Sequence, residues 1–154
     1  MVKLKSRITF AYPTWIQPGM SFYGPFRPDT AFQVEALPMD IEFFLSFGMV
    51  LALDEDFSVE VNVFYNEKPL ISEHRAAVDS KMLSPVVSGS NEFVTASVMK
   101  MNSITIKNEG VYKIRITLYG GHLGKDRVTL DEYDCFFVVS REWKPFPMGQ
   151  TKED

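Results

Sequence analysis

Cysteine and histidine are both scarce in this sequence, and their scarcity leaves few ways to build a metal site. Cys135 is the single cysteine among 154 residues, so no disulfide can form within the chain. The two histidines, His74 and His122, stand far apart, and no His-Glu-x-x-His motif occurs. The sequence therefore offers no zinc site with the usual Cys/His spacing, and we expect no cofactor.

Excess positive charge and long apolar runs are also lacking. The formal net charge is −4, and no Lys/Arg cluster of the kind that neutralises nucleic-acid phosphates is present. No stretch approaches the ~20 apolar residues of a membrane-spanning helix, and the basic start MVKLKSRITF leads into no signal-peptide core. Because a lone thiol suits a reducing compartment, we expect a soluble cytoplasmic protein that binds neither nucleic acid nor a membrane.

Motifs of nucleotide binding and nucleophilic catalysis are incomplete. The loop GGHLGKD around Lys125 lacks the first Gly and the Ser or Thr that a P-loop requires. Gly89 lies in an SGS triplet rather than in a Gly-x-Ser-x-Gly elbow. We therefore expect a protein that is not an enzyme, and keep an enzyme with an unrecognised site as one alternative.

Alternation of apolar and polar residues is the strongest feature that is present. Every second residue from Tyr112 to Leu118 is apolar, which is typical of a half-buried strand, and residues 108–110 supply a turn before it. Residues 41–53 show the longest alternation, with Gly48 as the expected bulge. Residues 57–65 alternate as well, so these last two segments predict a hairpin.

Weaker patterns complete the prediction of an all-β protein. We expect a first strand at residues 3–10, a loop at 84–92, two short strands within 93–106 and a last strand at 128–140; residues 71–83 read as either a short helix or a strand. The sequence thus predicts one domain over residues 1–154. Its expected architecture is a two-sheet antiparallel β-sandwich with at most one short helix.

The segment ITIKNEGVYKIRITL, residues 104–118, resembles the turn-and-tyrosine pattern of immunoglobulin-like and fibronectin-type-III-like sandwiches. In that pattern, a Tyr that opens the penultimate strand donates a hydrogen bond back to the preceding connection, and Tyr112 would take this part here. The resemblance covers this segment alone and lacks the Cys and Trp pair of antibody domains. It implies an immunoglobulin-like fold and no particular activity.

Aromatic residues gather in two segments punctuated by proline, a predicted loop at residues 11–28 and a C-terminal tail at 141–154. Aromatic side chains beside prolines are favoured at interfaces. The candidate partner-binding residues are Trp15, Tyr23 and Phe26 in the loop and Trp143 and Phe146 in the tail. The opposing interpretation is that these side chains pack as a satellite cluster under the loop and clamp the tail onto the sandwich.

The sequence therefore predicts a protein-interaction module for an unidentified protein partner, acting through these aromatic residues or through an open sheet edge. Open edges also favour a homodimer. A second alternative is a ligand-binding sandwich, for carbohydrate on a flat aromatic strip or for calcium. Calcium would require two acidic turns to meet at one end of the sandwich, with Asp54, Asp56, Asp131 and Asp134 as candidate ligands.

Overall fold

The computed structural model describes residues 6–16, 20, 26–53, 56–71, 80–121 and 127–147. Within these ranges the chain forms nine strands and no helix that is long and apolar enough to cross a membrane. The strands are β1 (Arg7–Trp15), β2 (Ala31–Gln33), β3 (Met39–Ala52), β4 (Phe57–Tyr65), β5 (Lys68–Pro69), β6 (Ser80–Val87), β7 (Glu92–Ile106), β8 (Gly110–Gly120) and β9 (Val128–Ser140).

The strands form two sheets that pack face to face. The first sheet has the order β1-β3-β7-β6, and the second has the order β2-β9-β8-β4-β5. Every pairing is antiparallel except the short parallel contact between β2 and β9. The architecture is therefore an all-β sandwich, as the sequence predicts.

The core lies between the two sheets, on the faces that the period-two patterns indicate. Alternate residues of β3 and β8 are fully or almost fully buried: Ile41, Phe43, Leu45, Phe47, Met49, Leu51, Tyr112, Ile114, Ile116 and Leu118. Phe32 and Tyr112 both stack on Phe137, with ring centroids 4.5 and 5.1 Å apart. Burial of this apolar and aromatic layer supplies the main driving force for folding.

The predicted hairpin of residues 41–53 and 57–65 is wrong. β3 pairs with β1 and β7 in the first sheet, whereas β4 pairs with β5 and β8 in the second. The short connection between β3 and β4 therefore crosses from one sheet to the other. An alternating pattern shows which face of a strand is buried but does not show which strand lies beside it.

Other segment boundaries also differ from the predictions. The two short strands expected within 93–106 are one strand, β7, with a bulge where Asn102 and Ser103 interrupt the pairing with β3. Residues 84–87 of the expected loop at 84–92 belong to β6. Residues 80–83, the end of the segment that the sequence left open between helix and strand, belong to β6 as well. Residues 72–79 of that segment lie outside the described residues.

β1 begins at Arg7 and continues to Trp15, so the first five residues of the predicted loop at 11–28 belong to a strand. Pro13 is tolerated there because β1 is an edge strand. The bulge expected at Gly48 of β3 lies instead in the paired strand β1, between Ile8 and Phe10. Gly48 is needed because the Phe10 ring occupies the space that a Cβ would fill.

Tyr112 makes the hydrogen bond that its pattern predicts. Its hydroxyl donates to the carbonyl oxygen of Asn108 over 2.6 Å, which joins the start of β8 to the turn before it. Burial raises the pKa of Tyr112, so the hydroxyl keeps its proton and remains a donor. The ring is 1% exposed and packs between Tyr65 and Phe137.

Replacement of Tyr112 by Phe is expected to lower the free energy of unfolding by about 1–2 kcal/mol, because the Asn108 carbonyl loses its donor while the ring packing stays. Urea denaturation measures the change. The matched control is Tyr119→Phe, which removes an exposed hydroxyl 3.4 Å from Glu60 and should change the free energy by less than about 0.5 kcal/mol. Equal effects of the two substitutions would contradict a special role for Tyr112.

Candidate partner-binding surface

Trp15, the first candidate anchor, lies at the end of β1 and packs on the core. Its ring meets the buried Phe32 edge-on, with centroids 4.5 Å apart. Its backbone N–H donates to the Asp29 carboxylate over 3.1 Å. Trp15 therefore packs against one edge of the sandwich, in line with the alternative interpretation that the aromatic residues are structural.

Phe26 is 9% exposed and stacks on Phe44, with centroids 4.5 Å apart, beside the buried Val98. This satellite cluster covers part of the outer face of the first sheet. The Tyr12 hydroxyl donates to the Phe26 carbonyl over 2.9 Å and so holds the chain down on the sheet. Phe26 thus belongs to the packed interior. Tyr23 lies outside the described residues.

Trp143 and Phe146, the two tail candidates, are exposed by 42% and 79%. The start of the tail is held firmly: the Glu109 carboxylate accepts the Arg141 N–H over 2.6 Å, and the Gln33 side-chain amide donates to the Arg141 carbonyl over 2.6 Å. Residues 143–147 make no hydrogen bond within the described part of the chain. The tail therefore presents two aromatic rings from an anchored base.

A cleft opens where the tail leaves the sandwich. It has a volume of about 880 Å³ and is open to solvent. We call it the end cleft; its lining residues are Glu35, Glu109, Val138, Ser140, Arg141, Glu142, Trp143 and Lys144. The walls combine an apolar part, Val138 and Trp143, with charged groups of both signs.

The apolar part of the end cleft continues onto the outer face of the second sheet. Val138 of β9 is paired with Val111 of β8, and Phe136 lies two residues before Val138 on the same face. Val111 is 57% exposed and Phe136 is 50% exposed. Val111, Phe136, Val138 and Trp143 form what we call the apolar strip. Exposed contiguous apolar surface of this kind is typical of interaction sites.

Charged side chains on the rest of this face are paired with one another. Arg115 donates to both carboxylate oxygens of Asp134, over 2.9 and 3.1 Å, and these bonds hold the pKa of Asp134 below its ordinary value. Lys113 and Arg115 also lie over the ring of Phe64. Lys113 and Arg115, the cations of β8 beside the apolar strip, are thereby tied to neighbours on the same sheet, whereas Lys144 in the end cleft makes no ion pair among the described residues.

The acidic candidates do not converge on a calcium site where they are described. Asp131 and Asp134 are three residues apart on β9 and project to opposite faces. Asp131 accepts the N–H of Ile8 over 2.8 Å, and Asp134 is bound by Arg115. No group of three or more His, Cys, Asp or Glu suited to a metal occurs among the described residues, which include Asp56 and not Asp54.

Val111, Phe136 and Val138 are surface residues that the sequence patterns did not single out. A signal for Phe136 and Val138 exists in the run YDCFFVV, where residues of both parities in β9 are apolar. Such a run is typical of a strand covered on both faces. The second sheet is covered on its inner face by the first sheet, and Phe136 remains half exposed on the other.

Cys135 lies on the inner face of β9, and burial raises the pKa of its thiol to about 12. We expect the native thiol to react with a disulfide reagent at pH 8 at least about a hundredfold more slowly than in the unfolded chain, because the thiolate is the nucleophile. A reaction rate unchanged by unfolding would contradict this burial.

The same thiol predicts a pH dependence of stability. The raised pKa favours the neutral thiol in the folded state, so its contribution is complete below pH 9 and is lost as the pH rises from 9 towards 12. Thermal melts across this range should therefore show a steeper fall for the natural chain than for Cys135→Ala.

Glu109 is predicted to hold the tail in place. With Trp15 replaced by Phe, Trp143 is the only tryptophan, and its fluorescence reports on the tail. Glu109→Ala should then shift the Trp143 emission to longer wavelength and lower its anisotropy, because the Arg141 N–H loses its acceptor. The control is Glu132→Ala on the same sheet. Unchanged emission and anisotropy in the Glu109 variant would show that the tail is held by other contacts.

Comparison with known proteins adds no family to this description. No protein-family model matches the sequence, and a search of curated proteins likewise found no match. The function therefore has to be argued from the geometry of the residues themselves.

Proposed function

We propose that this chain is an immunoglobulin-like β-sandwich that works in the cytoplasm as a non-enzymatic protein-interaction module. The strand order supports the fold: β1-β3-β7-β6 corresponds to the A-B-E-D sheet of that fold, and β9-β8-β4 corresponds to G-F-C. The Tyr112 hydrogen bond to the preceding turn is a further feature of the fold. The partly buried, single free thiol of Cys135 suits the proposed reducing location.

The observation that carries the functional proposal is the anchored tail beside the apolar strip. With about 200 Å² for a whole aromatic side chain, Phe136 and Trp143 of the strip expose roughly 180 Å². Val111 and Val138 extend this surface to about 300 Å², the lower end of the range for the largest apolar patch of a typical monomer, a patch that is often functional. Because Arg141 is bound by the sandwich, Trp143 two residues later stays close to the strip, which lowers the entropic cost of presenting its ring to a partner.

The partner that fits this surface is another protein rather than a second copy of this chain. A standard interface needs about 800 Å² on each side, so polar surface around the strip must also take part in binding any protein. The sheet edges carry features that oppose pairing. In the second sheet, the edge strands β2 and β5 have three and two residues; in the first, the edges contain Pro13 in β1 and Pro85 in β6.

Two backbone N–H groups of the edge strand β1 are already bound by carboxylates and so cannot pair with another chain. The Ile8 N–H is bound by the Asp131 carboxylate and the Trp15 N–H by that of Asp29. In β6, Ser84 adopts a φ of 48° where the pairing with β7 shifts register, which twists the edge away from a flat geometry. The face of the second sheet is therefore favoured over any edge as the binding surface.

The test is an affinity capture from cells of the source organism with the tagged full chain. We expect one protein to be recovered with the natural chain and its recovery to fall at least about tenfold with Trp143→Ala/Phe146→Ala, because interface aromatic residues dominate binding energy. The recovered protein is then purified, and calorimetry measures its direct binding to both forms of the chain.

The matched control is Val128→Ala, which removes an exposed apolar side chain at the opposite end of β9. Circular dichroism and thermal melts must show that all variants fold alike. Recovery that is equal for the natural chain and the tail variant, or a captured protein that does not bind directly, would refute the proposed surface.

A further inference from the structure

We propose that the end cleft receives a short extended segment of the partner protein, in which a Lys or Arg side chain stands beside apolar side chains. This inference rests on the proposed interaction function and specifies the chemistry of the partner. It depends on three features of the end cleft: its apolar residues, its charges and its size.

The apolar residues of the end cleft are Val138 and Trp143. Val138 lies on the rigid sheet, paired with Val111 of the central strand β8. Trp143 follows Arg141, whose N–H and carbonyl are both bound by the sandwich. An apolar side chain of the partner can therefore contact one residue of the sheet, which is fixed before binding, and one large ring of the tail, which is tethered close to it.

The charges of the end cleft favour a basic side chain. Three carboxylates line it, those of Glu35, Glu109 and Glu142, against the two cations of Arg141 and Lys144. Arg141 is already engaged with Glu109, by its N–H at 2.6 Å and its guanidinium at 3.7 Å. In the described part of the chain, the carboxylates of Glu35 and Glu142 make no ion pair. They outnumber the one remaining cation, that of Lys144, by one, and this small surplus of negative charge complements a Lys or Arg.

The size of the end cleft indicates a segment rather than a folded surface. A volume of about 880 Å³ accommodates a few side chains, as in pockets for small ligands. A second copy of this chain would bring its own net charge of −4 towards a cleft that already has surplus carboxylates. An acidic or phosphorylated segment would meet the same repulsion, so a basic segment is the occupant that the charges support.

The experiment is a selection of phage-displayed random peptides on the immobilised full chain, followed by fluorescence polarisation with the selected peptides made synthetically. We expect selected peptides to place Lys or Arg within two residues of Phe, Leu, Ile or Trp. Trp143→Ala should weaken their binding at least about tenfold. Glu35→Gln/Glu142→Gln should weaken it about threefold to tenfold and reduce its sensitivity to salt, because exposed ion pairs are weak and screened.

Two controls separate this effect from a general loss of charge or fold. Glu42→Gln removes an exposed carboxylate from the outer face of the first sheet and should leave peptide binding unchanged. A synthetic peptide in which the Lys or Arg is replaced by Gln should bind the natural chain and the Glu35→Gln/Glu142→Gln variant equally.

Each contrary outcome has a distinct meaning. Selected peptides that lack Lys and Arg, or binding that is insensitive to Glu35→Gln/Glu142→Gln, would overturn the basic segment while the interaction function stands. Binding insensitive to Trp143→Ala would overturn the end cleft as the site. If no peptide is selected although the affinity capture yields a directly binding partner, the extended segment is refuted. If the capture also fails, the proposed function fails with it.

Discussion

Tyr112 connects the core of the sandwich to the surface that we propose binds a partner. Its ring stacks on Phe137 inside the core, and its hydroxyl holds the carbonyl of Asn108 in the turn before β8. The next residue, Glu109, accepts the Tyr65 hydroxyl with its carbonyl and binds Arg141 with its carboxylate. The position of the tail, and so of Trp143, therefore depends on a turn that is fixed from the interior.

β9 serves both the core and the surface, because successive residues of a strand point to opposite faces. Phe137 and Val139 are buried between the sheets, whereas Phe136 and Val138 lie on the outer face. Replacement of an inner residue would alter the fold, and replacement of an outer one would alter mainly the surface. The same strand also leads directly into the tail, which places Trp143 beside Val138 at the end cleft.

The edges of the two sheets are protected against pairing, whereas the outer face of the second sheet is partly open. Each sheet edge is shortened, interrupted by proline or bound by a carboxylate, and these features oppose pairing with another chain. The outer face of the second sheet keeps its charges in pairs such as Arg115 and Asp134, yet leaves the apolar strip open. The first sheet also exposes apolar side chains on its outer face, among them Val86 and Val94, but the apolar strip is the one that adjoins the anchored tail. An apolar face beside protected edges is suited to binding through side chains rather than through backbone hydrogen bonds.

The sequence by itself determined the all-β class, the inner faces of β3 and β8 and the limits of β9, because burial with a period of two and turn chemistry are local properties. The hydrogen bond of Tyr112 was implied by the resemblance of residues 104–118 to immunoglobulin-like sandwiches. Only the tertiary structure decided that β3 and β4 belong to different sheets, since strand pairing joins residues distant in sequence. It also decided which aromatic residues are exposed. Phe26 stacks on Phe44 of the first sheet, whereas Phe146 is 79% exposed in the part of the chain that the structure describes.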